Sequence, residues 1–488
     1  MSIDVIARGM AAAQARSPGT AALISALRNN AFFPQPAYRN GATDVATITV
    51  GAANAASTVN ASGFGQTNVP LTNAAKITWL AGTADTDANT TIFARGAWYG
   101  TNRTFAYNAF EFQHTGTQFE VTMLASTIYA GVNFRVLVGG KIAGSASVTT
   151  DANWHYIKIA FPISATRRIR IELAGGRPRG LNVASTSEVA GTGRNYPLVT
   201  LIGDSFAEGT GANQQYDGEG IATLRACGFN PANASVGGTG LLNPGSGGRV
   251  NWQDSNRLAD LALNGWTDAI TGTAPIPAMG VVMMSINDAV GSSLWGGAAS
   301  LQEAVNKALW TLIDHWNTQR PGKPLVVFGP TYPNGDPALD LYRIRDAGQE
   351  ACFGAAGSNV WFLDRLGPTT LSRSGANSFI ATTGTTTSGS SSITAIASTA
   401  GWAIGAGIEG AGIPAGARVA TVVSATAITI DSPATATGSA VALTIRNTQA
   451  ALYGFGTADP THPGQAGHNL DSLLMARDLR SLVLSSFA

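Results

Sequence analysis

The chain has 488 residues, of which 44% are hydrophobic and 12% charged, and 30 Lys and Arg against 29 Asp and Glu give a formal net charge of +1. This length predicts two to four domains, and the hydrophobic content is sufficient for a core in each, which excludes global disorder. A nearly neutral chain lacks the basic surface that displaces phosphate counterions, so nucleic acid is not an expected partner. Apolar runs such as Ala278–Met284 are too short to cross a bilayer, so no membrane span is expected.

Cysteine and histidine are scarce, which limits the metal and redox chemistry available to the chain. Cys227 and Cys352 cannot build a disulfide scaffold, and neither has the spacing of a metal ligand. Five histidines are too few for a histidine-rich metal site, so neither a metal nor a cofactor is expected. The histidines are His114, His155, His315, His462 and His468.

The first 176 residues predict a helical segment followed by an antiparallel β-sandwich. Residues 1–35 have apolar side chains at helical spacing, interrupted at Pro18. From 36 to 176 the pattern alternates with a period of two, which places one face of each strand in a core and the other in solvent. Many short strands of this kind, separated by turn residues, are typical of a sandwich. The predicted strands are Val45–Val50, Phe110–His114, Phe119–Met123, Phe134–Val138, Tyr156–Ala160 and Ile169–Leu173.

Two roles fit this predicted sandwich. It is either a structural spacer or a module that binds carbohydrate and positions a substrate. Aromatic residues such as Trp98, Tyr99 and Trp154 suit both roles, so the residues alone leave the choice open.

The pattern changes to α/β further along the chain. Residues 177–195 contain three glycines and predict a linker, and 196–377 then predict an α/β domain with helices at Leu301–Gln319 and Ala338–Ala355. Its strands are continuous apolar runs, which is typical of strands buried on both faces. These runs are Leu198–Ile202, Gly280–Met284, Leu325–Phe328 and Val360–Leu363.

An insertion interrupts the α/β domain. Residues 378–447 are dominated by Ala, Thr, Ser and Gly, and short strand patterns within them predict a small all-β module. The α/β domain resumes over 448–488, where a terminal helix from about Gly467 to Leu484 is expected to close it. The strands predicted in the insertion are Ser392–Ala397, Val419–Val423, Ala427–Ile430 and Val441–Ile445.

Four separated segments could together supply a serine nucleophile, its base and oxyanion donors. Gly203–Ser205 directly follows a buried strand, at the strand end where open α/β sheets bind ligands. Asn233–Thr239 is a glycine-rich turn whose backbone N–H groups can approach a ligand. Ser285–Asp288 follows a second buried strand, and in Asp459–His462 a carboxylate three residues before an imidazole can accept its Nδ1–H.

In this order the four segments resemble the sequence blocks of the SGNH (GDSL-type) hydrolases, a superfamily of serine esterases and lipases. The resemblance implies a three-layer, flavodoxin-like α/β domain. It also implies Ser205 as nucleophile, His462 as general base and Asp459 as the acid that orients it. The oxyanion donors would be the backbone N–H groups of Ser205 and Gly238 and the side-chain amide of Asn287.

Two positions qualify the resemblance. Ser285 stands where the third block usually has glycine, which bears on the local backbone geometry more than on catalysis. Gly237 competes with Gly238 as the oxyanion glycine, and the spacing from Asn233 favours Gly238. The chain has no G-x-S-x-G motif, which argues against an ordinary α/β-hydrolase.

The remaining polar residues of these segments are predicted to be structural. Asp204 and Asp288 are expected to be turn residues, and His468 to lie on a helix face or support the site. Asp364 also follows a buried strand and is the alternative triad acid. His114, His155 and His315 are expected to be structural.

The resemblance points to an esterase, and the domain order narrows its substrate. A jelly-roll-like sandwich beside an SGNH domain is similar to some carbohydrate esterases, and the insertion resembles small β modules of phage tail proteins. Together they favour a phage- or prophage-type enzyme that removes O-acetyl groups from a polysaccharide. The alternatives are a lipid-type esterase, lysophospholipase or thioesterase, and a non-catalytic glycan-binding tail component.

The expected setting follows from the same observations. The first residues lack the apolar core of a signal peptide, so no signal peptide is expected. The localisation is left open between attachment to a virion tail and the cytoplasm. Homo-oligomerisation is left open.

Overall fold

The structure is a computed structural model. It does not describe residues 1–43 or 447–460. The predicted helical segment 1–35 and Asp459 therefore lie outside the described residues. The described residues are 44–80, 84–86, 92–94, 98–99, 102–103, 107–125, 132–192, 196–264, 268, 270–331, 339–355, 357, 359–366, 379–402, 404–414, 417–446 and 461–487.

Nine strands in the N-terminal region of the described chain form one connected antiparallel sheet. Two of them, Asn108–Leu124 (β4) and Trp154–Ala174 (β7), are long and pair with each other along most of their length. Two short hairpins, Ala84–Thr86 with Ile92–Ala94 and Trp98–Tyr99 with Asn102–Arg103, form separate two-stranded sheets. The strands are Thr47–Val50 (β1), Val69–Pro70 (β2), Thr78–Trp79 (β3), Asn108–Leu124 (β4), Val132–Val138 (β5), Lys141–Val148 (β6), Trp154–Ala174 (β7), Arg177–Asn182 (β8) and Val189–Ala190 (β9).

The two halves of each long strand have different neighbours. The first half of β7 pairs with β1 and the second half with β5, and the register with β4 shifts between Ala160 and Ala165. Side chains from both halves, such as Phe112 and Phe119, belong to one hydrophobic core. The region is therefore antiparallel β, as predicted, but it forms one connected sheet, and the two-sheet sandwich stays a prediction.

The predicted linker at 177–195 is wrong for much of its length. Arg177–Asn182 is strand β8, paired with β4 and β2, and β9 also pairs with β4. The three glycines suggested a loop, but Gly180 lies within β8. Pro178 lies where the register with β4 shifts, which is one of the few places a sheet accepts proline.

Five parallel strands form the second sheet of the described chain, in the order β11-β10-β12-β13-β14. Counted along the chain this is the order 2-1-3-4-5, which is flavodoxin-like, as predicted. All of these strands except β14 are largely buried on both faces, and in β10, β12 and β13 this burial accounts for the apolar runs. The strands are Leu198–Ile202 (β10), Asn230–Asn233 (β11), Met279–Met283 (β12), Leu325–Phe328 (β13) and Val360–Leu363 (β14).

Helices cover both faces of the parallel sheet and complete three layers. On one face α3, α4 and α5 share a core around Trp316, and on the other α2 and α6 share a core with Leu479. No described helix is long and apolar enough to cross a membrane. The helices are Ser205–Glu208 (α1), Glu219–Ala226 (α2), Ser255–Ala262 (α3), Leu301–Gln319 (α4), Leu339–Gly354 (α5) and Gln465–Phe487 (α6), with 3₁₀ turns at Thr186–Glu188, Gln215–Asp217, Ile286–Asp288 and Ser292–Leu294.

A buried ion cluster joins the antiparallel sheet to the α/β domain. Arg135 on β5 pairs with Glu172 on β7 and donates two hydrogen bonds to Asp217, at 2.8 and 3.0 Å. Arg225 on α2 lies 2.6 Å from Glu172, whose side chain is fully buried. Burial alone would raise the pKa of Glu172, but Arg135, Arg225 and Arg170 outweigh it and lower the pKa to about 2.

Glu172→Gln is expected to destabilise the protein by about 3–5 kcal/mol at pH 7, because it leaves buried guanidinium groups without their counter-charge. The pKa of Glu172 is lower in the folded state than its ordinary 4.5, so its stabilisation is present above pH 4.5 and is lost as the pH falls towards 2. Urea unfolding at several pH values measures this. Glu303→Gln, at an exposed pair with Lys307, is the control and should stay close to wild type; equal effects of the two variants would contradict the prediction.

The insertion has its own strands and its own core. Among the described residues, two three-stranded sheets enclose a cluster that includes Ile393 and Ile428. Its first and last strands pair, with Phe379 opposite Arg446, so the two ends of the insertion lie close together. The strands are Phe379–Thr386 (β15), Ser392–Ile393 (β16), Gly407–Gly410 (β17), Val419–Ser424 (β18), Ala427–Ile430 (β19) and Gly438–Arg446 (β20).

Replacing 381–447 with a short Gly/Ser linker is expected to leave the rest of the chain folded and to preserve the activity towards small acetyl esters that the sequence predicts. The paired strand ends need only a short bridge, and loop-closure entropy changes slowly with length. Turnover of p-nitrophenyl acetate and the melting temperature test this. Loss of both would mean that the insertion is part of the α/β core.

Candidate active site

Ser205 lies where a buried strand turns directly into a helix. Strand β10 ends at Ile202, and Asp204 caps α1 by accepting a hydrogen bond from the N–H of Phe206 at 3.0 Å. A Cβ on Gly203 would fall 2.4 Å from that of Ala207, so this sharp turn requires glycine. Ser205 is therefore the first residue of α1, at the carboxyl edge of the parallel sheet, and is 8% exposed.

His462 reaches Ser205 from the other end of the chain. Its Nε2 lies 2.7 Å from Oγ of Ser205, although 257 residues separate them. The imidazole packs on Phe206, with ring centroids 5.1 Å apart. A Cβ on Gly211 would fall 2.9 Å from that of His462, so the loop after α1 packs directly against the histidine. The arrangement lets Nε2 accept the serine proton when Nδ1 carries the imidazole hydrogen.

The terminal helix holds the loop that packs against His462. His468 is fully buried, its Nε2 donates to the carbonyl of Thr210 at 2.9 Å, and its Nδ1 accepts from the N–H of Glu219 at 3.2 Å. Gln465 accepts from the N–H of Asn213 at 2.8 Å and donates to the carbonyl of Asp217 at 3.2 Å. His468 thus supports the surroundings of His462, which is one of its two expected roles.

The glycine-rich turn lies beside Ser205. A Cβ on Gly237 would be 3.4 Å from that of Ser205, and Gly238 has a φ of +75° that favours glycine. Two charged side chains contact Gly237: its N–H donates to Glu208 at 2.7 Å and its carbonyl accepts from Arg249 at 2.6 Å. Glu208 and Arg249 were not predicted from the sequence, because their partners are backbone groups, which leave no motif.

Asn287 joins the same cluster through Ser285. The hydroxyl of Ser285 accepts from the N–H of Asn287 at 2.9 Å and lies 2.8 Å from a carboxylate oxygen of Asp204 and 2.9 Å from the carbonyl of Thr239. The side-chain amide of Asn287 donates to the same carbonyl at 3.2 Å. The φ of Ser285 is −86°, an extended conformation that any residue adopts, so the missing glycine imposes no strain.

Asp204 and Asp288 have the turn roles expected of them. Asp288 accepts hydrogen bonds from the N–H groups of Leu241, Leu242 and Asn243. Burial raises the pKa of each carboxyl to about 6. The hydrogen bonds lower it in part: for Asp288 those from the three N–H groups, and for Asp204 those from the hydroxyl of Ser285 and the N–H of Phe206. Both side chains therefore organise backbone around Ser205.

Ser285→Gly is expected to lower the free energy of unfolding by about 1–3 kcal/mol, because Asp204, Thr239 and the N–H of Asn287 lose a buried hydrogen-bonding partner. Denaturant titration measures this. Ser235→Ala is the matched control, since its buried hydroxyl has no hydrogen-bonding partner in the described chain. A loss no larger than that of the control would show that the hydroxyl of Ser285 is dispensable.

The other candidates lie in structural surroundings. Asp364 accepts from the N–H of Leu366 at 2.8 Å and lies 3.8 Å from Arg345. His155 contacts Asp151, and burial lowers the pKa of His114 to about 4 within the antiparallel sheet. His315 lies on α4. Within the described ranges, no group of three His, Cys, Asp or Glu side chains could hold a metal ion.

No protein-family model and no curated protein matches the chain. Solved structures that it resembles include a family two carbohydrate esterase from Cellvibrio japonicus (11% identity, 66% of this chain and 89% of that chain, TM-score 0.45). Others are an acetyl xylan esterase from the rumen bacterium Butyrivibrio proteoclasticus (12%, 60% and 89%, 0.43) and a GDSL-like lipase from Bacteroides ovatus (11%, 52% and 73%, 0.32). Two of these three structures are described as esterases and the third as a GDSL-like lipase.

Proposed function

We propose that the chain is a serine ester hydrolase in which Ser205 is the nucleophile and His462 its general base. The observation that carries the proposal is the 2.7 Å contact between Nε2 of His462 and Oγ of Ser205 at the carboxyl edge of a parallel sheet. A serine hydroxyl is a weak nucleophile until an adjacent base accepts its proton, and this contact provides that base. Asp459 remains the proposed acid that orients His462.

The reaction follows from these positions. Oγ of Ser205 attacks the ester carbonyl while His462 takes its proton, and the resulting oxyanion is bound by donors around the serine. The proposed donors are the N–H groups of Ser205 and Gly238 and the amide of Asn287. Since the N–H of Gly237 already donates to Glu208, the choice between the two glycines favours Gly238. The protonated His462 then gives its proton to the leaving alcohol, and water hydrolyses the acyl-enzyme.

The proposed substrate is an O-acetylated polysaccharide. Charged and amide side chains, Glu208, Arg249 and Asn287, lie close to Ser205 or the turn beside it. A long acyl chain would need an apolar cavity, whereas a small acetyl group with a sugar alcohol suits polar surroundings.

A screen for acetate release tests this proposal. Acetylated bacterial and plant polysaccharides are compared with long-chain p-nitrophenyl esters and a lysophospholipid, and Ser205→Ala is the blank. Acetate release that depends on Ser205 is the expected result. Preference for long-chain esters would favour the lipid-type alternative, and binding of a glycan without turnover of any ester would favour the non-catalytic tail component.

A further inference from the structure

The backbone of Gly237 is held on both sides by opposite charges. Its N–H donates to a carboxylate oxygen of Glu208 at 2.7 Å, and its carbonyl accepts from Nη1 of Arg249 at 2.6 Å. Hydrogen bonds to ionised groups are about twice as strong as those between neutral groups. Gly237 therefore has less freedom to reorient than a turn held by water or neutral partners.

This contact also fixes the next peptide group. The carbonyl of Gly237 and the N–H of Gly238 belong to one planar trans peptide, in which the two groups point in opposite directions. Arg249 on the carbonyl side therefore sets the direction of the Gly238 N–H. A cation on the carbonyl oxygen also polarises the peptide and makes its N–H a stronger donor.

Glu208 connects this turn to the nucleophile. It is the last residue of the one-turn helix α1 that begins at Ser205, so the two lie on the same helical turn. A Cβ on Gly237 would fall 2.6 Å from the carboxylate of Glu208, and one on Gly238 would fall 3.0 Å from Arg249. A larger residue at either glycine would therefore push against the end of one of these two charged side chains, and Gly238 also has a positive φ of +75°.

We propose that Arg249 and Glu208 are positioning residues of the oxyanion hole, which clamp Gly237 so that the Gly238 N–H is held ready for the developing charge. The inference rests on the proposed function. Neither residue transfers a proton or forms a bond to substrate. Their effect should be confined to the transition state, where the oxyanion exists, and should leave ground-state affinity unchanged.

The test compares kcat and KM of Arg249→Met, Arg249→Lys and Glu208→Gln. The concentration of active sites is measured from the burst of product released as the acyl-enzyme forms, so that kcat refers to functional protein only. Arg249→Met should lower kcat on p-nitrophenyl acetate by about 10–100-fold, with KM changed less than about threefold. This is less than the cost of removing one oxyanion donor outright, because the N–H of Gly238 remains but is held less firmly. Arg249→Lys should recover part of the loss, since it keeps the charge and one donor. Glu208→Gln keeps an acceptor for the N–H of Gly237 and should lose less than Arg249→Met.

Arg343→Met is the matched control, because Arg343 forms an exposed pair with Asp340 on α5, and it should match wild type. Unchanged kcat in Arg249→Met, or a raised KM with unchanged kcat, would overturn the inference, the second outcome assigning Arg249 to substrate binding. If Arg249→Met fails to fold, Arg249→Lys and Glu208→Gln decide by the same split between kcat and KM. Wild-type turnover in Ser205→Ala would overturn the proposed function itself. If turnover depends on Ser205 but substitution of Arg249 leaves kcat unchanged, this inference alone is overturned.

Discussion

Ser205→Ala should abolish ester hydrolysis, with kcat on p-nitrophenyl acetate falling by roughly 10⁴–10⁶-fold, the scale seen when a serine nucleophile is removed. The variant loses the oxygen that attacks the ester, while the oxyanion donors and the binding surface remain. Its melting temperature should change little, because the hydroxyl is small and the contact it loses is that with His462. Turnover per active site and thermal unfolding together test the prediction.

His462→Ala should behave alike, since the serine is not activated without its base. The double variant should be little slower than either single variant, because the two residues act as a unit. Multiplicative losses in the double variant, or near-wild-type turnover in Ser205→Ala, would contradict the proposed mechanism.

The second large effect is expected at Asn287. Asn287→Ala should lower kcat by about 10²–10³-fold, the usual cost of removing one side-chain donor from an oxyanion hole. The amide donates to the carbonyl of Thr239 at 3.2 Å and lies 3.5 Å from a carboxylate oxygen of Asp204, and these contacts hold it beside the turn. Because a bond from the amide to the oxyanion would form mainly in the transition state, KM should change far less than kcat. Steady-state kinetics on a small acetyl ester measure both.

Asn264→Ala provides the control for this change. Its amide donates to the side chain of Gln319, the last residue of α4. The end of α4 leads into the start of β13, at the amino edge of the parallel sheet, whereas Ser205 lies at the carboxyl edge. The control should match wild type. A higher KM with unchanged kcat in Asn287→Ala would instead assign Asn287 to ground-state binding.

Buried parallel strands were the best-predicted elements, for a physical reason. Leu198–Ile202 and Leu325–Phe328 were predicted with the bounds that the structure has, because burial on both faces demands an unbroken apolar run. Val360–Leu363 was also predicted with its observed bounds, although only its first residue is fully buried. Helix Leu301–Gln319 was likewise predicted to the residue, since its cap and apolar stripe are local signals.

The long antiparallel strands were predicted only in pieces. Phe110–His114 and Phe119–Met123 belong to one strand, and the sequence between them, with its glycine and threonines, has no alternation to mark continuity. The same holds for Trp154–Ala174, where the register shifts in mid-strand. Pairing with neighbours distant in sequence keeps such segments extended, and a local pattern does not report those neighbours.

The residues of the candidate site also differ in how well the sequence predicts them. Ser205 and His462 were predicted from short motifs, and the structure brings them into contact. Arg249 and Glu208 were not, because each contacts a backbone group of a residue that lies twelve or more positions away. The packing of loops decides which backbone group each charged side chain contacts. Neither composition nor the spacing of motifs predicts that packing.

The separation of Ser205 from His462 also governs when the contact can form. The hydrogen bond closes a loop of 257 residues that includes most of the parallel sheet and the whole insertion. Contacts of such long range form late in folding, because the entropy of the intervening chain opposes them. During synthesis, a chain that ends before residue 462 cannot make the contact, whatever it has already folded. Hydrolysis regained in a refolding experiment would accordingly mark the docking of the last helix, and near-native far-ultraviolet circular dichroism should precede it.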